Sequence, residues 1–153
     1  MKIALFLDVD GVLNQYRISE RIKRYKKHER KGFSEETDCF NPFQKKVLRL
    51  NKLIKKYKID VIVFSAWTEK DLQSHLPFNL KGDASKWISD VNFYAKQYDK
   101  CLLIDDEISS ILERGCKGEK IKFENNIIFY QPNSDFGLVL KDFKKIENIL
   151  KGI

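Results

Sequence analysis

Asp8 and Asp10 stand one residue apart and are followed by Gly11. On an extended chain two residues at that spacing share one face. Carboxylates crowded in this way repel each other, so the pair favours a bound cation or one carboxyl kept protonated. Gly11 lets the backbone turn sharply or approach a ligand closely. Two further polar groups stand at comparable places. Ser65 offers a hydroxyl that can donate to an anionic oxygen, and Asp105-Asp106-Glu107 offers a second set of acids.

Each of these groups ends a short apolar run. Ile3 to Leu7 leads into Asp8, Ile59 to Phe64 leads into Ser65, and Lys100 to Ile104 leads into Asp105. Short, bounded runs of this kind read as buried parallel strands. In open α/β sheets ligands bind outside the carboxyl ends of the strands, which is where all three polar groups fall. Ile127 to Tyr130, ended by Pro132, is a fourth strand.

Helical patterns separate the strands. Asn41-Pro42 opens a helix, with Asn as N-cap and Pro in the first turn. Phe43, Val47, Leu50, Leu53, Ile54 and Tyr57 then follow helical spacing toward the core. Glu69 to Leu76 is a shorter helix broken by Pro77. Asp83 reads as the N-cap of a helix whose first turn holds Ala84, Ser85 and Lys86, with Trp87, Val91, Tyr94 and Tyr98 facing the core. Ile108 to Arg114 is a helix with Gly115 as its C-cap. Phe136 to Lys151 closes the chain, with Leu138, Leu140, Phe143, Ile146, Ile149 and Leu150 mostly on one side. Strand–helix alternation of this kind predicts a parallel α/β sheet covered by helices on both faces. The fold class is a Rossmann-like three-layer sandwich.

The 153 residues are enough for one domain, 1–153, with a sizeable core and little room for a second. Lys and Arg exceed Asp and Glu by seven. A basic flap at about 15–41 follows the first aspartates, and its basic residues, Arg17, Arg21, Lys23, Arg24, Lys26 and Lys27 among them, cluster within 17–31. Such a stretch suits a phosphate backbone, or serves as a solvated helix face. The three cysteines show no CxxC spacing, so neither a disulfide framework nor a zinc site is indicated. No run approaches a membrane span. A cytoplasmic monomer with no membrane partner is expected.

Asp8-Val9-Asp10-Gly11-Val12-Leu13 resembles the first motif of the haloacid dehalogenase (HAD) superfamily, most of whose members are Mg²⁺-dependent phosphohydrolases. Ser65 at a strand end resembles the second motif, and Asp105-Asp106 the fourth. Lys86 is the candidate for the third, a lysine that neutralises phosphate charge, with Lys81 and Lys100 as competitors. The resemblance implies an Asp8 nucleophile, an Asp10 general acid and base, and phosphoryl contacts from Ser65, Ala66 and Lys86. It implies Mg²⁺ held by Asp8, the backbone carbonyl of Asp10, and Asp106, with Asp105 close by.

The chain lacks room for a large cap, so the resemblance implies an open site, roofed only by the flap. It is similar to the small HAD domains of RNA-repair proteins, which favours a phosphorylated nucleic-acid end as substrate. A small nucleotide or metabolite is the alternative, as is a catalytically silent HAD fold that only binds nucleic acid. A response-regulator receiver is excluded by order, because there the acidic pair follows the first strand.

Overall fold

A computed structural model describes residues 1–13 and 44–152. Five strands form one sheet: β1 (Ile3–Leu7), β2 (Ile59–Val63), β3 (Leu80–Asp83), β4 (Lys100–Ile104) and β5 (Ile127–Tyr130). The order is β3-β2-β1-β4-β5, and every pairing is parallel. β1 is therefore the central strand. The chain builds outward to β3 on one side, then returns to place β4 on the other. That reversal beside β1 is where an open α/β sheet forms its ligand crevice.

Among the described residues the helices are α1 (Gln44–Tyr57), α2 (Glu69–Gln73), α3 (Ile88–Ala95), α4 (Ile108–Arg114) and α5 (Leu140–Lys151). Strand residues alternate between two cores. Ile3, Leu5, Leu7, Val61, Val63, Leu102 and Ile104 pack with Val47 and Leu50 of α1 and Phe143 and Ile146 of α5. Ala4, Phe6, Ile62, Cys101 and Leu103 pack on the other face with Ile88 and Val91 of α3 and Ile108 and Ile111 of α4. Phe6 and Ile62 are completely buried, and each such side chain contributes roughly 1.5–3 kcal/mol. A sheet buried on both faces explains why its strands read as continuous apolar runs.

The observed elements differ from the sequence reading in four places. β3 was not expected. Its residues Leu80, Lys81, Gly82 and Asp83 run buried, exposed, buried and half-buried, but only Leu80 has an apolar side chain, so no hydrophobic pattern results. α2 ends at Gln73 rather than Leu76, because the Gln73 side chain turns to the next segment. Its Nε2 donates to the Phe78 carbonyl and its Oε1 accepts from the Leu80 N–H.

α3 starts at Ile88, so Asp83 and Ala84–Lys86 precede it. α5 starts at Leu140, because Asn133 and Gly137 form turns and the Leu138 N–H donates to the Val12 carbonyl instead of continuing a helix. Leu140 is then largely exposed, while Leu138 is buried. The expected helix start at Asn41-Pro42, Phe43 and the basic flap lie outside the described residues.

Candidate active site

The register of the sheet sets the site. Leu7 of β1 pairs with Val63 of β2 on one side and with Ile104 of β4 on the other. The three strands therefore end level. The ladder runs one rung further: the Asp8 N–H donates to the Ile104 carbonyl at 3.0 Å, and the Phe64 N–H to the Leu7 carbonyl at 2.9 Å. The Asp105 N–H donates to the Tyr130 carbonyl at 3.3 Å. Asp8 and Asp105 thus leave adjacent strands at the same height, and Ser65 follows one residue beyond Phe64.

β1 stops at Leu7, so the strand geometry that would put Asp8 and Asp10 on one face does not extend to them. The Val12 and Leu13 N–H groups both donate to the Val9 carbonyl, which turns the chain at once. Asp8 keeps its bond to the Ile104 carbonyl and is buried. Asp10 lies in the turn and is half-buried. Trp67 meets it there, with its indole N–H donating to Asp10 Oδ2 at 2.9 Å. Trp67 is also packed partly against the core. The Trp67 backbone N–H donates to Ser65 Oγ at 3.2 Å, which holds the buried serine at the rim. Ala66, between them, is exposed.

Lys86 closes the other side. Its ammonium donates to Asp8 Oδ2 at 3.0 Å and also to Asp105 Oδ2. It lies 5.1 Å from the centre of the Phe64 ring, a cation–π distance. Of the three lysines considered, Lys86 is the one at this site. Lys81 is exposed on the edge strand β3, and Lys100 begins β4 at the opposite end of the sheet.

Asp105 is completely buried, and its Oδ1 accepts from the Glu107 N–H at 2.7 Å. Asp106 packs on Gly11. A Cβ built at Gly11 would lie 2.4 Å from Asp106 Oδ2, and Gly11 has a φ of +74°. Glycine is needed there on both counts.

Asp8, Asp105 and Asp106 each present a carboxylate oxygen within 4.8 Å of the others. Burial, joined by the charge of Asp105, pushes the Asp8 carboxyl up to about 8 despite the nearby ammonium of Lys86. Burial likewise raises Asp106 to about 6, again with Asp105 adding to it. Burial works against the charge on Lys86, but Asp8 and Asp105 outweigh it and hold the lysine above its ordinary range. One ammonium faces three carboxyl groups, so negative charge is in excess. An all-oxygen set of this kind fits a hard divalent cation such as Mg²⁺, which would hold these carboxyls ionised. The Asp10 side chain is not in that trio.

Asp8, Lys86, Asp105 and Asp106 are thus brought together directly, and Asp10 and Ser65 are joined to each other through Trp67. Two contributions were not read from the sequence. One is the bond from Trp67 to Asp10, for which a tryptophan two residues after Ser65 was the only sign. The other is the turn at Cys116–Glu119 that packs beside Lys86.

A family model for the HAD domain in Swiss Army Knife RNA repair proteins matches residues 4–120, which carry every site residue named above. No curated protein matches the chain. The fold is similar to the crystal structure of the Legionella pneumophila effector Ceg4 with an N-terminal yeast Hog1p sequence. The TM-score is 0.56 at 14% identity, over 97% of this chain and 95% of that one. That likeness bears on the fold alone.

Proposed function

The chain belongs to the family of HAD domains found in Swiss Army Knife RNA repair proteins, and from that premise we propose that it is a Mg²⁺-dependent phosphomonoester hydrolase acting on phosphorylated nucleic-acid ends. The observation that carries the reading is the meeting of Lys86 with Asp8 at 3.0 Å beside the Asp8–Asp105–Asp106 cluster. A nucleophilic carboxylate, an ammonium for phosphoryl oxygens and an oxygen-rich cation site then share one crevice.

In this mechanism an Asp8 carboxylate oxygen attacks phosphorus in line with the leaving oxygen. The P–O bond to the leaving group breaks, and the Asp10 carboxyl gives that oxygen its proton. Asp10 then takes a proton from a water molecule, which attacks the phosphorus of the aspartyl-phosphate. Free Asp8 and inorganic phosphate result. The Lys86 ammonium, the Ser65 hydroxyl and the backbone at Ala66 bind the non-bridging oxygens. Asp8, Asp106 and the backbone carbonyl of Asp10 would hold Mg²⁺, with Asp105 behind them. When bound, the ion supplies positive charge to the phosphoryl group and lets Asp8 stay ionised.

The substrate class rests on the family's description and on charge. Residues 17–31 hold eight of the lysines and arginines against two glutamates, close after the nucleophile's motif. Both favour an anionic polymer over a small phosphate.

Phosphate release tests the reading, with and without Mg²⁺. The panel holds 3′- and 5′-phosphorylated DNA and RNA oligonucleotides, mononucleotides and sugar phosphates, with Asp8→Asn as the blank. Release from one oligonucleotide end, dependent on Mg²⁺ and absent from the blank, is expected. Preference for small phosphates would overturn the substrate class. Binding of oligonucleotides without release from any of them would overturn the enzyme reading in favour of a silent binding module.

A further inference from the structure

Lys86 reaches its carboxylates from a strained stretch of backbone. Ser85 and Lys86 both have positive φ, 43° and 63°. The Trp87 N–H closes the turn on the Ala84 carbonyl at 2.7 Å. Two successive residues of positive φ are what a type I′ turn needs, and Gly, Asn and Asp usually fill them. A serine and a lysine persist there only when their surroundings over-determine the conformation.

Part of that support is local. Asp83 Oδ1 accepts from the Ser85 N–H at 2.7 Å and from its hydroxyl at 2.9 Å. The rest comes from the Cys116–Glu119 turn. Lys117 Nζ donates to the Ser85 carbonyl at 2.6 Å and sits 4.7 Å from the centre of the Trp87 ring. Glu119 Oε2 accepts from the backbone N–H groups of Ile88 at 2.7 Å and Ser89 at 3.3 Å. Its Oε1 accepts from the Ser89 hydroxyl at 2.6 Å. Trp87 precedes α3 and has no side chain that can cap it, so Glu119 supplies the cap from across the fold.

The turn is itself well defined. The Cys116 N–H donates to the Glu119 carbonyl at 3.2 Å and the Glu119 N–H to the Cys116 carbonyl at 2.9 Å. A Cβ at Gly115 would lie 1.8 Å from the Glu119 carbonyl oxygen, so only glycine permits this closure. Ser85, Trp87, Ile88 and Ser89 are each held by Lys117 or Glu119. Lys86, between them, sends its ammonium to Asp8 and Asp105.

We propose that the Cys116–Glu119 turn is a clamp that sets the conformation of Lys86, with Lys117 and Glu119 as positioning residues for the phosphoryl site. The consequence for turnover rests on the phosphatase reading above, whereas the effect on Lys86 itself does not.

The test compares Lys117→Ala and Glu119→Ala with the parent protein in two measurements. Nitrogen-15 NMR of the lysine ammonium groups follows Lys86, assigned by loss of its signal in Lys86→Met. Hydrolysis of p-nitrophenyl phosphate, with inorganic phosphate as competing ligand, follows the site. The clamp predicts a shifted or broadened Lys86 signal in both variants, and at least a 5-fold rise in KM and in the phosphate inhibition constant. Added to Lys86→Met, Glu119→Ala should raise KM no further. An unchanged Lys86 signal in both variants overturns the proposal, as does an equal rise in KM with Lys86 present or absent. If the parent protein neither hydrolyses the ester nor binds phosphate, the phosphatase reading fails and the NMR signal still decides on the clamp. Should Glu119→Ala fail to fold, Lys117→Ala carries both measurements.

Discussion

The indole N–H of Trp67 donates to Oδ2 of Asp10 at 2.9 Å, across 57 residues of sequence. Asp10 is thereby tied to the rim of β2. Asp8, two residues earlier, is tied through Lys86 to Asp105 at the end of β4. The two aspartates of one motif thus take different partners, Asp10 the indole that follows β2 and Asp8 the ammonium that follows β3. Separate partners are what separate roles in one reaction would need.

Trp67→Phe keeps a ring at the rim and removes the donor. A side-chain hydrogen bond contributes about 0.5–1.5 kcal/mol. A fall in kcat of up to about 10-fold is therefore expected. The loss should be larger for alkyl phosphates than for p-nitrophenyl phosphate, whose leaving oxygen needs less protonation. Equal losses on both substrates would show that the bond does not serve proton transfer.

Asp8 and Asp106, raised to about 8 and about 6, bind protons more tightly in the folded protein than in the unfolded chain. Their contribution to stability is complete below the ordinary carboxylate range and is lost as pH rises through those values. Without metal, the melting temperature should fall between pH 5 and pH 8, and the fall should be shallower in Asp8→Asn. Mg²⁺ should recover much of the loss at pH 8, since it favours the ionised carboxyls. Identical slopes in the two proteins would contradict the assignment of the effect to Asp8.

Gly11→Ala places a Cβ 2.4 Å from Asp106 Oδ2 at a φ of +74°. The left-handed backbone alone costs about 1–2 kcal/mol for a non-glycine residue. Asp106 must also move away. Calorimetry should show a lower melting temperature together with weaker Mg²⁺ binding. Normal Mg²⁺ affinity in a destabilised variant would remove Asp106 from the proposed ligand set.

The basic segment carries a prediction from charge alone. Reversing Arg24, Lys26 and Lys27 to Glu should weaken oligonucleotide binding and flatten its dependence on salt, because fewer counterions are released. Hydrolysis of p-nitrophenyl phosphate should change little. A salt slope equal to that of the parent protein would show that these residues make no phosphate contacts.

The strands β1, β2 and β4 are legible because burial on both faces writes itself as a nearly continuous apolar run, and the edge strand β5 because Ile127 to Tyr130 are all apolar or aromatic. β3 is not, because Lys81, Gly82 and Asp83 have no hydrophobic signal. The sequence pattern puts Lys86 in the opening turn of a helix. In the fold it sits in a left-handed turn that no local pattern announces, since serine and lysine are unusual there. Helical spacing extends back to Phe136, but α5 starts at Leu140, because the bond from the Leu138 N–H to the Val12 carbonyl competes with helix and joins distant segments.

The sequence by itself determined the parallel α/β class and the kinds of group that end each strand. Both are local properties: an apolar run wants burial on two faces, and the polar residue that stops it marks the sheet's edge. The tertiary structure alone decided which of those groups meet. Strand register set Asp8 level with Asp105, the crossing order put β4 beside β1, and the Cys116–Glu119 turn reached back to the residues around Lys86. Those contacts join positions separated by tens of residues, and their distances depend on how whole elements pack. No pattern confined to neighbouring residues encodes that.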